Sequence, residues 1–515
     1  MSFKLKYTWL LLFLFVFAAC SDDDDNNPDE IKVALDPGTA DFSKYVAVGN
    51  SLTAGFTDGA LFKTAQENSV ANILSSKLAL VGGGAFTQPL TGDNIGGLLL
   101  GGNVIQQPRL YFDGSGPVVL PATPTTEVSA IIPGPYNNLG IPGARSFHFL
   151  AKGYGNIAGL QTGQANPYYV RMASSPSASV LEDAMAQNPT FFTLWIGEND
   201  VLGYAMSGGD GTSPITDQGT FNFAVTTLIS TLTSSGAKGL AVNIPDVAST
   251  PHFTTVPYNP LNPATNPAFA AQIPTLNATF AQLNQAFAFL GVPDRSVVYS
   301  ETAPSPILIH DESLTNITPQ LTQVLIAGGL PAQTAALLGS QFGQSRQAMA
   351  TDLVVLPASS VIGTLNTTYY QQLVSLGVSQ AQAGQLAVNG ITYPMRDKWI
   401  LLPGEQDEIK AATSAFNSII KSEADKAQLA FVDANTLMKQ LATTGLSSGD
   451  FVLNAKLVTG GAFGLDGVHL TARGAGMIAN EMMKAIDKAY GSNFEEADEL
   501  VDIGDYPTNY NPALR

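Results

Sequence analysis

Tyr45-Val46-Ala47-Val48-Gly49-Asn50-Ser51-Leu52-Thr53-Ala54-Gly55 is the stretch on which the reading of this chain turns. Its first five residues form a short apolar run of the kind that makes a strand buried on both faces. A sharp turn then presents Ser51 between Gly49 and Gly55. Polar residues at the carboxyl end of a strand in a parallel sheet are where α/β proteins place their sites. Taken alone the signal is weak, because a serine just before a helix is often only a cap.

The surrounding pattern agrees with a parallel sheet. Apolar strands are expected at Thr190–Ile196 and Leu240–Ile244, with a helix over Phe221–Ser234 between them. Helices are also expected at Thr64–Ala79, Leu276–Leu290, Ile409–Ala430 and Thr471–Tyr490. Short strands are expected at Val297–Tyr299 and Phe431–Asp433. The segments 82–135 and 250–270 are rich in Gly, Pro, Thr or Asn and read as loops. Segment 313–395 is rich in Ala, Leu, Gln and Thr and reads as an inserted helical cap with the makings of a lid. The expected organisation is a leader over 1–19, an acidic linker over 20–41, a core over 42–312 with a loop insertion at 82–135, the helical insertion over 313–395, a second core segment over 396–491, and an acidic tail over 492–515 spread on the surface.

Three further motifs share the position of the first, at strand ends or before a helix. They are Asn138-Leu139-Gly140-Ile141-Pro142-Gly143-Ala144, Gly197-Glu198-Asn199-Asp200, and Asp466-Gly467-Val468-His469-Leu470-Thr471. Each has a bland explanation as a turn or a cap. Together and in this order they resemble the four blocks of the SGNH (GDSL-like) hydrolase family, carried here by Ser51, Gly143, Asn199 and His469. One position departs: Asn50 stands where the family signature has Asp.

The resemblance implies a three-layer α/β/α, flavodoxin-like parallel sheet and a serine ester hydrolase that needs no metal or other cofactor. Ser51 would be the nucleophile, His469 its base and Asp466 the group that orients the imidazole. The backbone N–H of Ser51, the backbone N–H of Gly143 and the side-chain amide of Asn199 would form the oxyanion hole. A glycine at 143 would let substrate approach its N–H closely. The family spans lipases, phospholipases, thioesterases and carbohydrate acetylesterases, so a lipid or small-molecule ester and a glycan O-acetyl group are both open as substrate. A non-catalytic surface binding protein of the same fold is the alternative of a different class. Among the other histidines, His148 follows the second block and His252 and His310 sit in loop-like sequence. His310 with Asp311 and Glu312 lacks a second spaced histidine, so a solvated loop is expected there rather than a metal site.

Composition narrows the partners. Hydrophobic residues are 45% of the 515 and charged residues 13%, which is ample for a packed core. The net charge of −18 repels polyanions and argues against nucleic acid. The single cysteine, Cys20, excludes an internal disulfide and a cysteine-rich zinc site. It follows Lys4, Lys6, the apolar run Trp9 to Phe17, and Ala18-Ala19. That order resembles a bacterial lipoprotein signal, with Phe17 in place of the usual Leu. Asp22 to Asp25 then resemble the acidic surface-export signal of Bacteroidetes-type lipoproteins. The resemblance implies an outer-membrane, surface-exposed protein held to the membrane by acyl chains on Cys20.

Overall fold

A computed structural model describes residues 33–515; the leader, Cys20 and the aspartate run lie outside the described residues. At the centre is a five-stranded sheet. Its strands are β1 (Tyr45–Gly49), β2 (Asn138–Gly140), β3 (Phe191–Trp195), β4 (Lys238–Val242) and β5 (Ala430–Val432). All neighbours are parallel and the spatial order is β2-β1-β3-β4-β5. Val48 pairs with Leu194 and Gly49 with Trp195, so β1 and β3 end level with each other. In this doubly wound order the chain reverses between β1 and β3, and the crevice beyond their carboxyl ends is the natural ligand position.

Alternate residues of each strand face opposite layers. Val46, Val48, Phe192 and Leu194 point into one apolar cluster with the helices α4 and α7 defined below. Tyr45, Ala47, Phe191 and Trp195 point into the other with α2 and α8. Strands that are apolar on both faces need cover on both, and this is the reason for the three layers. The helices that matter here are α1 (Ser51–Ala54), α2 (Val70–Leu78), α3 (Glu198–Met206), α4 (Gln218–Leu232), α5 (Pro251–Thr254), α6 (Pro267–Phe289), α7 (Pro403–Lys426) and α8 (Ala472–Tyr490).

Several expectations need correction. The helix read over Thr64–Ala79 is two, Lys63–Glu67 and α2, because Ser69 breaks the run and caps α2 through its Oγ, which accepts from Asn72 N at 3.2 Å. In Val297–Tyr299 the two outer residues are buried and Val298 is exposed, and the stretch pairs with no strand. Its backbone bonds instead to side-chain amides of α6: Val297 N donates to Asn284 Oδ1 at 2.8 Å and Tyr299 N to Asn277 Oδ1 at 2.9 Å. An apolar run seeks burial, and any acceptor of good geometry satisfies its N–H groups.

The stretch 82–135 contains two antiparallel hairpins, Leu98–Leu100 with Asn103–Gln106 and Leu110–Phe112 with Pro117–Val119. The segment 313–395 holds the helices Thr318–Ala327 and Ala332–Phe342, then short strands, then the helices Thr367–Ser375 and Gln380–Leu386. Leu321, Leu325, Ala335 and Phe342 belong to the same apolar cluster as α4 and α7. The tail is no surface ribbon, since Phe494, Ile503 and Tyr510 are buried. No helix among the described residues is long and apolar enough to cross a membrane.

Candidate active site

β1 delivers the chain to Asn50, whose Oδ1 accepts from Leu52 N at 3.1 Å and so caps α1. Ser51 is the first helical residue and faces a cleft of about 700 Å³. His469 approaches from the other end of the sequence, just ahead of α8. Its Nε2 lies 2.9 Å from Ser51 Oγ, and its Nδ1 lies 3.0 Å from Asp466 Oδ2. A carboxylate only accepts, so Nδ1 carries the proton and Nε2 is free to take one from Ser51.

The turn that holds Asp466 and His469 is tightly bonded. Asp466 Oδ1 accepts from Val468 N and His469 N, each at 2.9 Å, and Oδ2 also accepts from Gly59 N at 2.7 Å. Burial would raise the Asp466 carboxyl, but the charge and hydrogen bond of His469 and these N–H donors outweigh it and hold it at about 2. Thr471 then caps α8, its Oγ1 accepting from Gly474 N at 2.9 Å. Asp58 fastens the turn from below by accepting from Leu465 N at 2.7 Å. Burial pushes the Asp58 carboxyl up to about 7, with the neighbouring Asp466 charge adding to the shift.

The second and third motifs form the opposite lip. Gly143 has φ +78°, a conformation that glycine adopts without strain. Among the described residues neither Ser51 N–H nor Gly143 N–H has a hydrogen-bond partner, and both residues line the cleft. Asn199 lines it too. One proton of its Nδ2 goes to Ala144 O at 3.0 Å, which fixes the amide and leaves the other free. Asp200 ties the two motifs together, accepting from Ser146 N and Ser146 Oγ, each at 2.8 Å. Gly197, at φ +112°, lets α3 start at once after β3. A Cβ there would lie 2.7 Å from Ile244 Cδ1.

Three residues at this site have roles that the sequence did not reveal. Glu198 is buried and its Oε2 accepts from Asn50 Nδ2, while its Oε1 has no partner. Burial pushes this carboxyl up to about 8; the Asn50 hydrogen bond opposes the shift and the Asp200 charge adds to it. His252, expected in a loop, sits buried on α5. Its Nδ1 donates to Asp466 O at 3.2 Å and its backbone N to Gly467 O at 2.9 Å. Burial lowers its pKa, against the opposing pull of Asp466. Asp58 is the third. The only local hint for His252 was Thr250-Pro251, a common helix start.

The remaining candidates fall elsewhere. His148 does not line the cleft; its Nδ1 accepts from Arg145 N at 3.0 Å and its ring stacks on Tyr154. His310 lies in a strand paired with Ser345–Gln347 rather than in a solvated loop. It stands with Glu312 and Asp397, their ligand atoms within 4.8 Å of one another, and none of the three lines the Ser51 cleft. Of segment 313–395, the helices Thr318–Ala327 and Ala332–Phe342 stay away from the cleft. The short turn of helix Leu356–Ser360 and the hairpin strands Leu110–Phe112 and Pro117–Val119 are what reach it.

The GDSL-like lipase/acylhydrolase family model matches residues 45–302. That span holds Ser51, Gly143 and Asn199, and it stops well before Asp466 and His469, which the fold returns to the same cleft. Neither curated proteins nor solved structures gave a match. With half of its length matched, and with the parallel sheet in place, the chain belongs to the GDSL-like lipase/acylhydrolase family.

Proposed function

We propose that this protein hydrolyses carboxylic esters through a Ser51–His469–Asp466 triad and an acyl-enzyme intermediate. The observation that carries the reading is the unbroken chain of contacts from Asp466 Oδ2 through the imidazole to Ser51 Oγ. His469 Nε2 takes the Ser51 proton as Oγ attacks the ester carbonyl carbon. The oxyanion accepts from Ser51 N–H, Gly143 N–H and the free Asn199 Nδ2–H. As the carbonyl re-forms, the bond to the alcohol oxygen breaks and His469 hands its proton to the departing alcohol. Water, deprotonated by the same nitrogen, then attacks the acyl carbon; the bond to Ser51 Oγ breaks, His469 returns its proton to Oγ, and the acid is released. Asp466, held ionised, stabilises the imidazolium at both stages.

Turnover of p-nitrophenyl esters from acetate to palmitate, and of acetylated xylan, tests the reading. Wild type should release nitrophenol on part of the series, and Ser51→Ala should lose this by several orders of magnitude. Equal rates in the two proteins, or no turnover of any ester, would overturn it.

Export and lipidation at Cys20, with display at the outer membrane, belong to the same proposal and rest on the sequence of the leader. Cells fed an alkyne fatty acid should label wild type and not Cys20→Ser. Equal labelling would refute the anchor.

A further inference from the structure

Outside the Ser51 cleft, His310, Glu312 and Asp397 bring one imidazole nitrogen and two carboxylate oxygens within 4.8 Å of one another. Backbone pairing sets them there. His310 ends the strand Leu308–His310, and its N–H donates to Met395 O at 2.8 Å. Asp397 follows two residues after Met395, in the turn ahead of α7. Gln344 Nε2 holds the other turn, donating to Glu312 O at 3.1 Å. A further carboxyl, on Glu405 in the first turn of α7, lies within hydrogen-bond reach of Glu312 and is only 8% exposed.

No cation of the protein offsets these charges. Among the described residues neither Glu312 nor Asp397 pairs with a Lys or Arg. Lys398, beside Asp397 in sequence, lies over the Trp399 ring instead, 4.8 Å from its centre. Asp397 Oδ1 is buried and has no hydrogen-bond partner among the described residues. A buried carboxylate oxygen without a donor is costly, and an ion or water is what satisfies such an atom.

We propose that His310, Glu312 and Asp397 bind one divalent transition-metal ion, Mn²⁺ or Zn²⁺, as a structural clamp. Two carboxylates balance its charge. A ligand set of imidazole nitrogen and carboxylate oxygen suits these ions, whereas Mg²⁺ and Ca²⁺ take oxygen alone. Ligands of one such ion stand about 3–4 Å apart, so the exposed Glu312 side chain need only turn inward to close the set. The ion joins the strand Leu308–His310 to the start of α7. The end of α3 packs on the same place, since a Cβ on Gly208 would overlap Asp397 O. The clamp is independent of the ester chemistry at Ser51. His310 and Glu312 alone did not suggest it, because Asp397 is far from them in sequence.

The test starts from purified protein stripped with EDTA. Melting temperature and calorimetric titration are read with MnCl2, ZnCl2 and MgCl2 in wild type, His310→Ala and Asp397→Asn. Wild type should bind one Mn²⁺ or Zn²⁺ per chain and melt several degrees higher with it. Each variant should weaken binding by at least about tenfold and lose most of the shift. In wild type the electron spin echo of bound Mn²⁺ should carry the coupling of an imidazole nitrogen, a readout that needs no variant. No stoichiometric binding, an echo without nitrogen coupling, or binding unmoved in the variants would overturn the proposal. So would an equal shift with MgCl2, the mark of a diffuse acidic patch.

Discussion

Asn50 is the position at which this chain departs from the family signature, and its partner is Glu198. An Asp at 50 would set two carboxyls in contact with no cation beside them, and one would have to hold a proton. The amide removes that conflict and donates to Glu198 while still capping α1. Glu198 favours its protonated form in the folded protein, at about 8, against about 4.5 when solvated. Its contribution to stability is therefore complete below the lower value and is lost as pH rises through the upper one. Asp58, raised to about 7, acts in the same direction. The melting temperature of wild type should fall between about pH 4.5 and about pH 8, and Glu198→Gln should flatten that slope. Parallel slopes would contradict this account of Glu198. Asn199→Ala should lower kcat by about 100- to 1,000-fold with little change in KM, because it removes a donor needed mainly in the transition state. Ser51, Gly143, Asn199 and His469 were legible because each sits in a short motif with a fixed spacing. Glu198, Asp58 and His252 were not, because their roles come from burial among segments far apart in sequence.

At the scale of elements, the site depends on where strands end and helices begin. β1 and β3 stop in register, so α1 and α3 start side by side and bring Ser51 and Asn199 to one cleft. α8 does the same for His469 through its cap. Thr471→Ala should cost about 1 kcal/mol by the loss of that cap. It should also lower kcat more than KM, since the Asp466–His469 turn is anchored there; denaturant titration and steady-state kinetics check the two effects. Wild-type kinetics in this variant would separate the cap from the turn. The strands and the closing helix were legible because apolar runs and helical periodicity mark them. Val297–Tyr299 misled because an apolar run reports burial, whereas strand pairing depends on a neighbour. Here the neighbour is a row of Asn side chains on α6.

The whole molecule places chain ends and insertions where they serve the core and the cleft. The tail runs back across the fold: Arg109 Nη2 donates to Asn511 O at 2.7 Å and to Leu514 O at 3.2 Å, and Tyr510 is buried. Acidic composition concealed this, because Phe494, Ile503 and Tyr510 are scattered single residues with no period. Removal of residues 492–515 should therefore lower stability by several kcal/mol, at roughly 1.5–3 kcal/mol for each large apolar side chain uncovered. Thermal melting of the truncated protein measures it, and an unchanged melting temperature would show the tail to be dispensable. The insertions were visible as breaks in the α/β pattern. Which of them reached the cleft was not, since that depends on the path of the chain in space. Ser51 as an activated nucleophile is tested by covalent labelling with an alkyl fluorophosphonate, read by intact mass and peptide mapping. One adduct per chain is expected, on Ser51, absent in Ser51→Ala and greatly slowed in His469→Ala. Failure of wild type to label, or labelling that persists in Ser51→Ala, would contradict it.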